Sequence, residues 1–229
     1  YMRGASRWRF EARIDGVTSR AEALKLIAAK AKAVGPGNWV FVLGGWSEQQ
    51  FADRTGGFTE KELDAAAPDN PVFIQKSYSR AYMNGLAAER LSRSSRISPS
   101  GRSQERMRGS SGGRSFSTRE IISQATQFLP QRSGSERAED VAFFNSVLNG
   151  YGLTAVYDVG RASDGDFTPV EELAKRNDLT VRVFHSLRYR ANNSREADEA
   201  VSLINASKPY GNNDWFGLIG MGEHIYNPA

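Results

Sequence analysis

A carboxylate or an imidazole stands at or near the end of each of three apolar runs in the last third of the chain. The first run closes on Asp158, the second on His185, and the third on the adjacent pair Glu223 and His224. Such groups can act as general acids and bases or as ligands of a hard metal ion. The segments between the runs have helical patterns, so this region predicts βαβ units and a parallel sheet. The carboxyl ends of its strands would bring these side chains to one edge.

The residue types leave other interpretations open. A histidine after a strand is more often a hydrogen-bonded loop residue than a functional group, and the chain has two histidines in all. A metal site complete within the chain is therefore not expected. Trp46, Tyr78 and Tyr82 could line a pocket, although aromatic residues in such positions more often belong to the core.

The composition excludes several kinds of chemistry. The absence of cysteine excludes disulfides, thiolate nucleophiles and thiolate metal sites. No apolar run approaches the roughly 18 residues needed to cross a membrane. A cytoplasmic location is favoured, but the chain begins with Tyr1 rather than Met, so we expect a missing N-terminus and leave a signal peptide open.

The net charge of +4 comes from one segment, because residues 91–115 contain six Arg and one Glu. Residues 92–115 are rich in Ser, Arg and Gly and are predicted to be flexible, since they cannot bury enough apolar surface to offset their ordering entropy. Nucleic-acid binding is not the favoured function. The alternative is a non-catalytic α/β binding module that uses this segment to contact an acidic partner or RNA.

Capping signals and hydrophobic periodicity predict an α/β order along the whole chain. Residues 1–16 are predicted to be an extended or loop entry. The predicted helices are 19–34, 59–67, 80–91, 116–129, 136–151, 168–176 and 193–206, and the predicted strands are 39–44, 72–76, 153–158, 179–185 and 215–221.

Six stretches of the chain resemble a known family, in the same order as in that family. They are RIDGVTSRAEALKLIAAKA (13–31), WVFVLGGWSEQQF (39–51), FTEKELDAAAPDNPVFIQKSYSRAYMN (58–84), GLTAVYDVG (152–160), LTVRVFHSL (179–187) and WFGLIGMGEHIY (215–226). The APDNPVF string that follows the GGW turn is fairly specific, and the other stretches support it. These stretches resemble the amidohydrolase superfamily, in the YtcJ-like branch that includes N-substituted formamide deformylases. The segment 92–115 departs from the family, which usually has a Pro/Gly-rich β-excursion there.

The resemblance implies an α/β fold that is part of a metal-dependent (β/α)8 TIM-type barrel. Residues 136–229 would supply barrel strands two to four. Residues 1–135 would form an α/β excursion between the first two barrel strands, which covers the substrate. We therefore expect an internal fragment of a longer enzyme.

The resemblance also implies hydrolysis of a small amide or formamide-like substrate at a C–N bond other than a peptide bond, by metal-activated water. Glu223 would be a metal ligand of one or two divalent ions, with zinc favoured and most ligands outside this chain. The implied catalytic or pocket groups are Asp158, His185 and His224, and the implied substrate-binding residues are Trp46, Tyr78 and Arg80. The isolated piece is expected to be inactive, and homo-oligomer formation stays open.

Overall fold

The computed structural model describes residues 1–53, 56–77, 80–97, 119–161, 167–187, 191–206 and 213–222. The helices in these ranges are α1 (Met2–Ala5), α2 (Arg20–Val34), α3 (Glu60–Ala66), α4 (Gly85–Ile97), α5 (Arg119–Thr126), α6 (Gly134–Gly150), α7 (Thr168–Lys175) and α8 (Ser194–Ala206), with a 3₁₀ turn at Glu48–Gln50. The strands are β1 (Val40–Val42), β2 (Val72–Ser77), β3 (Arg80–Met83), β4 (Ala155–Arg161), β5 (Arg182–Leu187) and β6 (Phe216–Met221).

The chain divides into two compact units. Phe10–Gln131 form one, called here the β1–β3 unit, and Tyr1–Arg9 with Arg132–Ala229 form the other, called the β4–β6 unit. The sequence predicts a boundary between residues 135 and 136, with residues 1–9 in the first region, because nothing in their composition indicates a contact with helices more than 100 residues away.

The β1–β3 unit contains a mixed three-stranded sheet in which β2 lies between β1 and β3. β1 pairs with β2 in parallel and β3 pairs with β2 in antiparallel orientation. Successive side chains of a strand point to opposite faces, and here both faces are buried. Val40, Val42, Val72 and Ile74 pack on one side with Ile27 and Leu63, and Phe41, Phe73 and Met83 pack on the other with Leu91 and Ala125.

The first long helix begins and ends where its sequence indicates. The Ser19 hydroxyl accepts a hydrogen bond from the Glu22 amide, and Gly35, with φ of 81°, follows the last helical residue. The structure adds a partner that the sequence does not show. The Asp53 carboxylate accepts hydrogen bonds from the amides of Arg20 and Ala21 at 2.7 and 3.2 Å. A loop residue thus satisfies amides at the start of α2.

Arg20 is a buried cation that joins α2 to α3. Its guanidinium donates two hydrogen bonds to Glu62, at 3.3 and 2.6 Å, and one each to the carbonyl oxygens of Gly56 and Gly57. The guanidinium carbon also lies 4.7 Å from the centre of the Phe58 ring. Because a buried charge is costly unless it is paired and hydrogen-bonded, this arrangement depends on Glu62.

The β4–β6 unit contains a parallel sheet in the order β4, β5, β6. The helices α7 and α8 connect consecutive strands, as the alternation in the sequence predicts. Val156 and Val183 are register partners, and both pack in a cluster with Val141 and Phe144 of α6 and Val170 of α7. We call this side of the sheet the helix-covered face.

The opposite side of this sheet is called here the open face. Tyr157 and its register partner Phe184 belong to it, because side chains alternate along each strand. Tyr157 is 49% exposed, and Val159, two residues later, is 47% exposed. Parallel sheets are normally buried on both sides, so such exposure is unusual for an edge strand of this kind.

Three sequence predictions about local structure are wrong. Residues 2–5 form the short helix α1, with Met2 and Ala5 buried, rather than an extended entry. Residues 80–83 form strand β3 and not the start of a helix, because antiparallel pairing with β2 outweighs their local preference. Residues 92–97 continue α4, where Arg93 pairs with Glu89 one turn earlier at 2.5 Å. The rest of the Ser/Arg/Gly segment lies outside the described residues.

Among the residues that the structure describes, no helix is long and apolar enough to span a membrane.

Replacing Glu62 with Gln should lower the free energy of unfolding near neutral pH and reduce its dependence on acid. Burial raises the pKa of Glu62, but hydrogen bonds from Arg20 and Thr59 and the charge of Arg20 outweigh burial and lower it from 4.5 to about 2. The carboxylate therefore stabilises the fold fully above about pH 4.5, and this contribution is lost as the pH falls toward about 2. Urea unfolding at a series of pH values measures the difference.

The matched control is Glu22→Gln, because Glu22 occupies in α2 the helical position that Glu62 occupies in α3 but is exposed. This variant should lose no more than about 0.5 kcal/mol and should keep the acid dependence of the wild type. If the free energy of unfolding fell equally in wild type and Glu62→Gln as the pH drops below 4.5, Glu62 would not be the carboxylate responsible for the acid dependence.

Candidate functional site

Asp158 and His185 are direct register partners on β4 and β5. The sequence predicts them at the ends of these strands, but they lie in the middle, because β4 continues to Arg161 and β5 to Leu187. Each lies two residues after a valine of the helix-covered face, so both side chains belong to that face. Parallel pairing thus brings together two residues that the sequence analysis selected separately. Their contacts indicate what each can do.

The Asp158 carboxylate holds residues 1 and 2 against the middle of β4. Its Oδ2 accepts a hydrogen bond from the Met2 amide at 2.8 Å, and the backbone nitrogen of Tyr1 lies 3.3 Å from the same oxygen. The Tyr1 hydroxyl donates to the buried Asn145 side chain at 2.7 Å. Burial, followed by the nearby charge of Asp158, raises the pKa of Tyr1, so the hydroxyl remains a donor at ordinary pH. Asp158 therefore has the contacts of a positioning residue.

His185 is buried and packs against two aromatic rings. Its imidazole stacks on Phe167 with ring centroids 4.3 Å apart and planes inclined by 22°, and its centroid lies 5.1 Å from that of Phe216 with planes inclined by 20°. The centroids of Phe167 and Phe216 are only 6.0 Å from each other, so the two rings do not lie on opposite faces of the imidazole. These contacts make His185 part of the aromatic packing on the helix-covered face.

The remaining residues that the sequence analysis selected at this sheet edge are Glu223 and His224. Both lie outside the described residues, as does Tyr78 of the predicted substrate-binding set. β6 ends at Met221, and the described chain ends one residue later. The predicted roles of Glu223, His224 and Tyr78 therefore stay predictions.

The described residues do not by themselves provide the ligands for a metal ion. No group of three or more His, Asp or Glu side chains within them is arranged to hold one. The Asp158 carboxylate accepts a hydrogen bond from the Met2 amide, and His185 is buried against Phe167 and Phe216. A metal would have to be held mainly by residues outside the described part of the chain, which include Glu223.

Trp46 and Arg80 belong to the β1–β3 unit and have very different surroundings. Trp46 is buried against the rings of Phe51, Phe58 and Tyr82, and its indole nitrogen donates to the Gln75 carbonyl oxygen at 3.0 Å. Its polar atom is thus already used inside the unit. Arg80 is half exposed at the start of β3, which leaves it accessible to a ligand.

The sequence did not indicate that four polar residues come together in the β1–β3 unit. They are Glu48, Lys76, Arg80 and Tyr82, called here the Glu48 cluster. The Tyr82 hydroxyl donates to Glu48, the Lys76 ammonium lies 3.0 Å from Glu48 Oε2, and an Arg80 guanidinium nitrogen lies 3.6 Å from Oε1. The hydrogen bond from Tyr82 and, against the effect of burial, the contacts of Lys76 and Arg80 hold the pKa of Glu48 below its usual range. Recognising residues 72–83 as a hairpin would have revealed the cluster, because Lys76, Arg80 and Tyr82 then share a face.

Comparison with known proteins adds information about the whole chain. The model of the family described as "Amidohydrolase family" matches residues 2–223. A solved structure of an uncharacterized metal-dependent hydrolase from Pyrococcus horikoshii OT3 superposes with a TM-score of 0.51 at 16% identity, covering 96% of this chain and 40% of that chain. For a second uncharacterized metal-dependent hydrolase, from Pyrococcus furiosus, the TM-score is 0.49 at 18% identity, with 96% and 41% covered.

The chain therefore spans about two fifths of the length of these two hydrolases. At 16% identity, the first superposition supports a common fold and nothing finer. A search of the curated proteins found no match.

Replacing Asp158 with Ala should destabilise the protein by about 1–3 kcal/mol, because the Met2 amide would lose its acceptor in a mostly buried position. Asp158→Asn should cost less, since its amide oxygen can still accept the hydrogen bond. Urea unfolding gives the stability, and hydrogen exchange at the Met2 amide reports the bond directly.

Asp178→Ala serves as the control, because Asp178 is an exposed residue of the same unit that pairs with exposed Arg176. Its effect should stay within about 0.5 kcal/mol. If Asp158→Ala were equally mild and exchange at Met2 did not accelerate, Asp158 would not be the residue that fixes the start of α1.

Proposed function

The chain belongs to the amidohydrolase family, and on that basis we propose that it is part of a metal-dependent hydrolase that cleaves amide-like C–N bonds in small molecules. The single observation that carries this proposal is the match of the family model to residues 2–223, nearly the whole chain. The resemblance of its motifs to YtcJ-like proteins and N-substituted formamide deformylases supports formamides and related amides as the substrate class.

In this proposal, β4, β5 and β6 are strands two to four of a (β/α)8 barrel. Their parallel order and the two connecting helices support this assignment, because barrel strands alternate with helices in the same way. The open face, with exposed Tyr157, would form part of the barrel interior once further strands close around it. The chain alone, which spans about two fifths of the related hydrolases, would then be inactive.

The proposed enzyme uses one or two divalent metal ions, with zinc as the favoured ion. Glu223 would be the metal ligand that this chain contributes, and the other ligands would come from segments outside it. A bound divalent ion supplies the means to deprotonate water near neutral pH. The described residues do not assemble such a site, so we derive no catalytic step from them.

The described residues have supporting roles in this proposal. Asp158 fixes the start of α1 against the middle of β4 through the Met2 amide. His185, buried against Phe167 and Phe216, contributes to the packing of the helix-covered face. Their contacts favour positioning over direct catalysis, and His224 is the candidate acid or base that remains. In the other unit, Arg80, with Trp46 and Tyr78, is the proposed contact for substrate.

The experiment compares two proteins: the 229-residue chain and a version extended by the coding sequence on either side. The extended protein should contain a divalent metal, measured by mass spectrometry of the ions, and should hydrolyse an N-substituted formamide. Glu223→Gln in the extended protein should lose most of the metal and most of the activity, because a neutral amide is a much weaker ligand than a carboxylate.

Glu171→Gln is the control, because Glu171 is an exposed carboxylate on α7 that pairs with Lys175. It should leave metal content and hydrolysis unchanged. Full metal occupancy in Glu223→Gln would remove Glu223 from the metal site. Absence of metal and of hydrolysis in the extended protein would refute the proposed function itself.

A further inference from the structure

The Glu48 cluster lies at one end of the β2–β3 pair, and the backbone there directs its cations to one face. The pairing of β2 with β3 shifts register between Gln75 and Ser77, so that Lys76 is an extra residue in a bulge. Bulges re-aim individual side chains and are over-represented next to binding sites. Lys76 contacts Glu48 on the same face as Arg80 and Tyr82.

The charges of the cluster do not balance. Two cations, Lys76 and Arg80, adjoin one carboxylate, Glu48, which leaves one positive charge. The side chains are unequally exposed: Glu48 is 14%, Lys76 25% and Arg80 52% accessible. The anion is thus mostly enclosed, while the guanidinium faces solvent to a large extent. The surplus charge resides where a ligand can approach it.

One cation would suffice to neutralise Glu48. Lys76 makes the close contact at 3.0 Å, whereas an Arg80 guanidinium nitrogen lies 3.6 Å from the carboxylate. Arg80 also interacts with the Tyr82 hydroxyl, which together with Glu48 raises the pKa of Arg80 and keeps it a cation. Exposed ion pairs contribute little to stability, so stability alone gives little reason for a second cation here. The arrangement fits a site in which Glu48 orients the cations and another anion engages them.

One partly buried aromatic ring adjoins these charges. The Tyr82 ring, whose hydroxyl binds Glu48, is held in place by the buried rings of Trp46 and Phe58, with centroids 6.0 and 6.3 Å away. A guanidinium binds a carboxylate through two parallel hydrogen bonds, and a monoanion neutralises the single surplus charge.

We propose that Arg80 and Lys76 form a binding site for the carboxylate group of a small organic anion, with Glu48 holding both cations in place. The site lies entirely within the β1–β3 unit and goes beyond the proposed hydrolysis, on which it does not depend. It assigns a ligand class to Arg80 and a role to Lys76, Glu48 and Tyr82.

The test is direct binding of sodium benzoate to the purified protein, followed by NMR of ¹⁵N-labelled amides or by calorimetry. Benzamide, the uncharged analogue of the same shape, should bind far more weakly than benzoate. Arg80→Gln should reduce benzoate affinity about tenfold, because a charge-assisted bidentate contact is lost. Lys76→Met should also reduce it, although by less, and it provides a second test if the Arg80 variant fails to fold.

Replacing Glu48 distinguishes a ligand site from an ion network that only supports the fold, because the two predict opposite changes in benzoate affinity. Glu48→Gln keeps an acceptor for Tyr82 and removes the competing negative charge, so benzoate affinity should increase. Arg93→Gln, which removes an exposed arginine of α4 paired with Glu89, should change nothing. The proposal is overturned if benzoate and benzamide bind equally, if wild type binds neither, or if Arg93→Gln weakens binding as much as Arg80→Gln does.

Discussion

The β4–β6 unit is governed by the requirement that a parallel sheet bury both of its faces. Helices α6 and α7 cover one face around Val156 and Val183, whereas Tyr157 on the other face is about half exposed in the described part of the chain. Leaving the apolar face of a parallel sheet in contact with water is unfavourable, so other elements normally pack on it. In the proposed barrel, the strands that close the ring would supply that packing, so the unusual exposure and the proposed fold have one explanation.

The same alternation of faces determines what Asp158 and His185 can do. The sequence predicts both at the carboxyl end of a parallel strand, where catalytic groups are commonly found. In the structure β4 and β5 continue beyond them, so both lie in the middle of a strand. Both also belong to the helix-covered face, where Asp158 accepts a hydrogen bond from the Met2 amide and His185 packs against Phe167 and Phe216. A catalytic assignment therefore requires two things that the sequence did not fix for these residues: where the strand ends, and which face of the sheet the side chain is on.

The sheet of the β1–β3 unit also has both faces buried, and its own helices supply the cover. Helices α2 and α3 pack on one face, and α4 and α5 pack on the other. Two of the charge networks in this unit differ in exposure. Arg20 is enclosed and engaged with Glu62 and two carbonyl oxygens, which suits a structural role. Arg80 is about half exposed beside Glu48 and Tyr82, which suits a ligand.

The sequence by itself determined most of the helices and strands. The signals that set them are local, because a capping residue, a proline or a repeat of apolar residues affects only a few neighbouring positions. It predicted α2, α3, α6, α7 and α8, the parallel order of the last three strands, and the family. Tertiary structure alone decided the rest. Residues 80–83 became a strand because β2 offered hydrogen bonds, and residues 2–5 became a helix through packing and a contact with Asp158. The Glu48 cluster joins residues separated by up to 34 positions, and such contacts depend on the folded path of the chain rather than on local spacing.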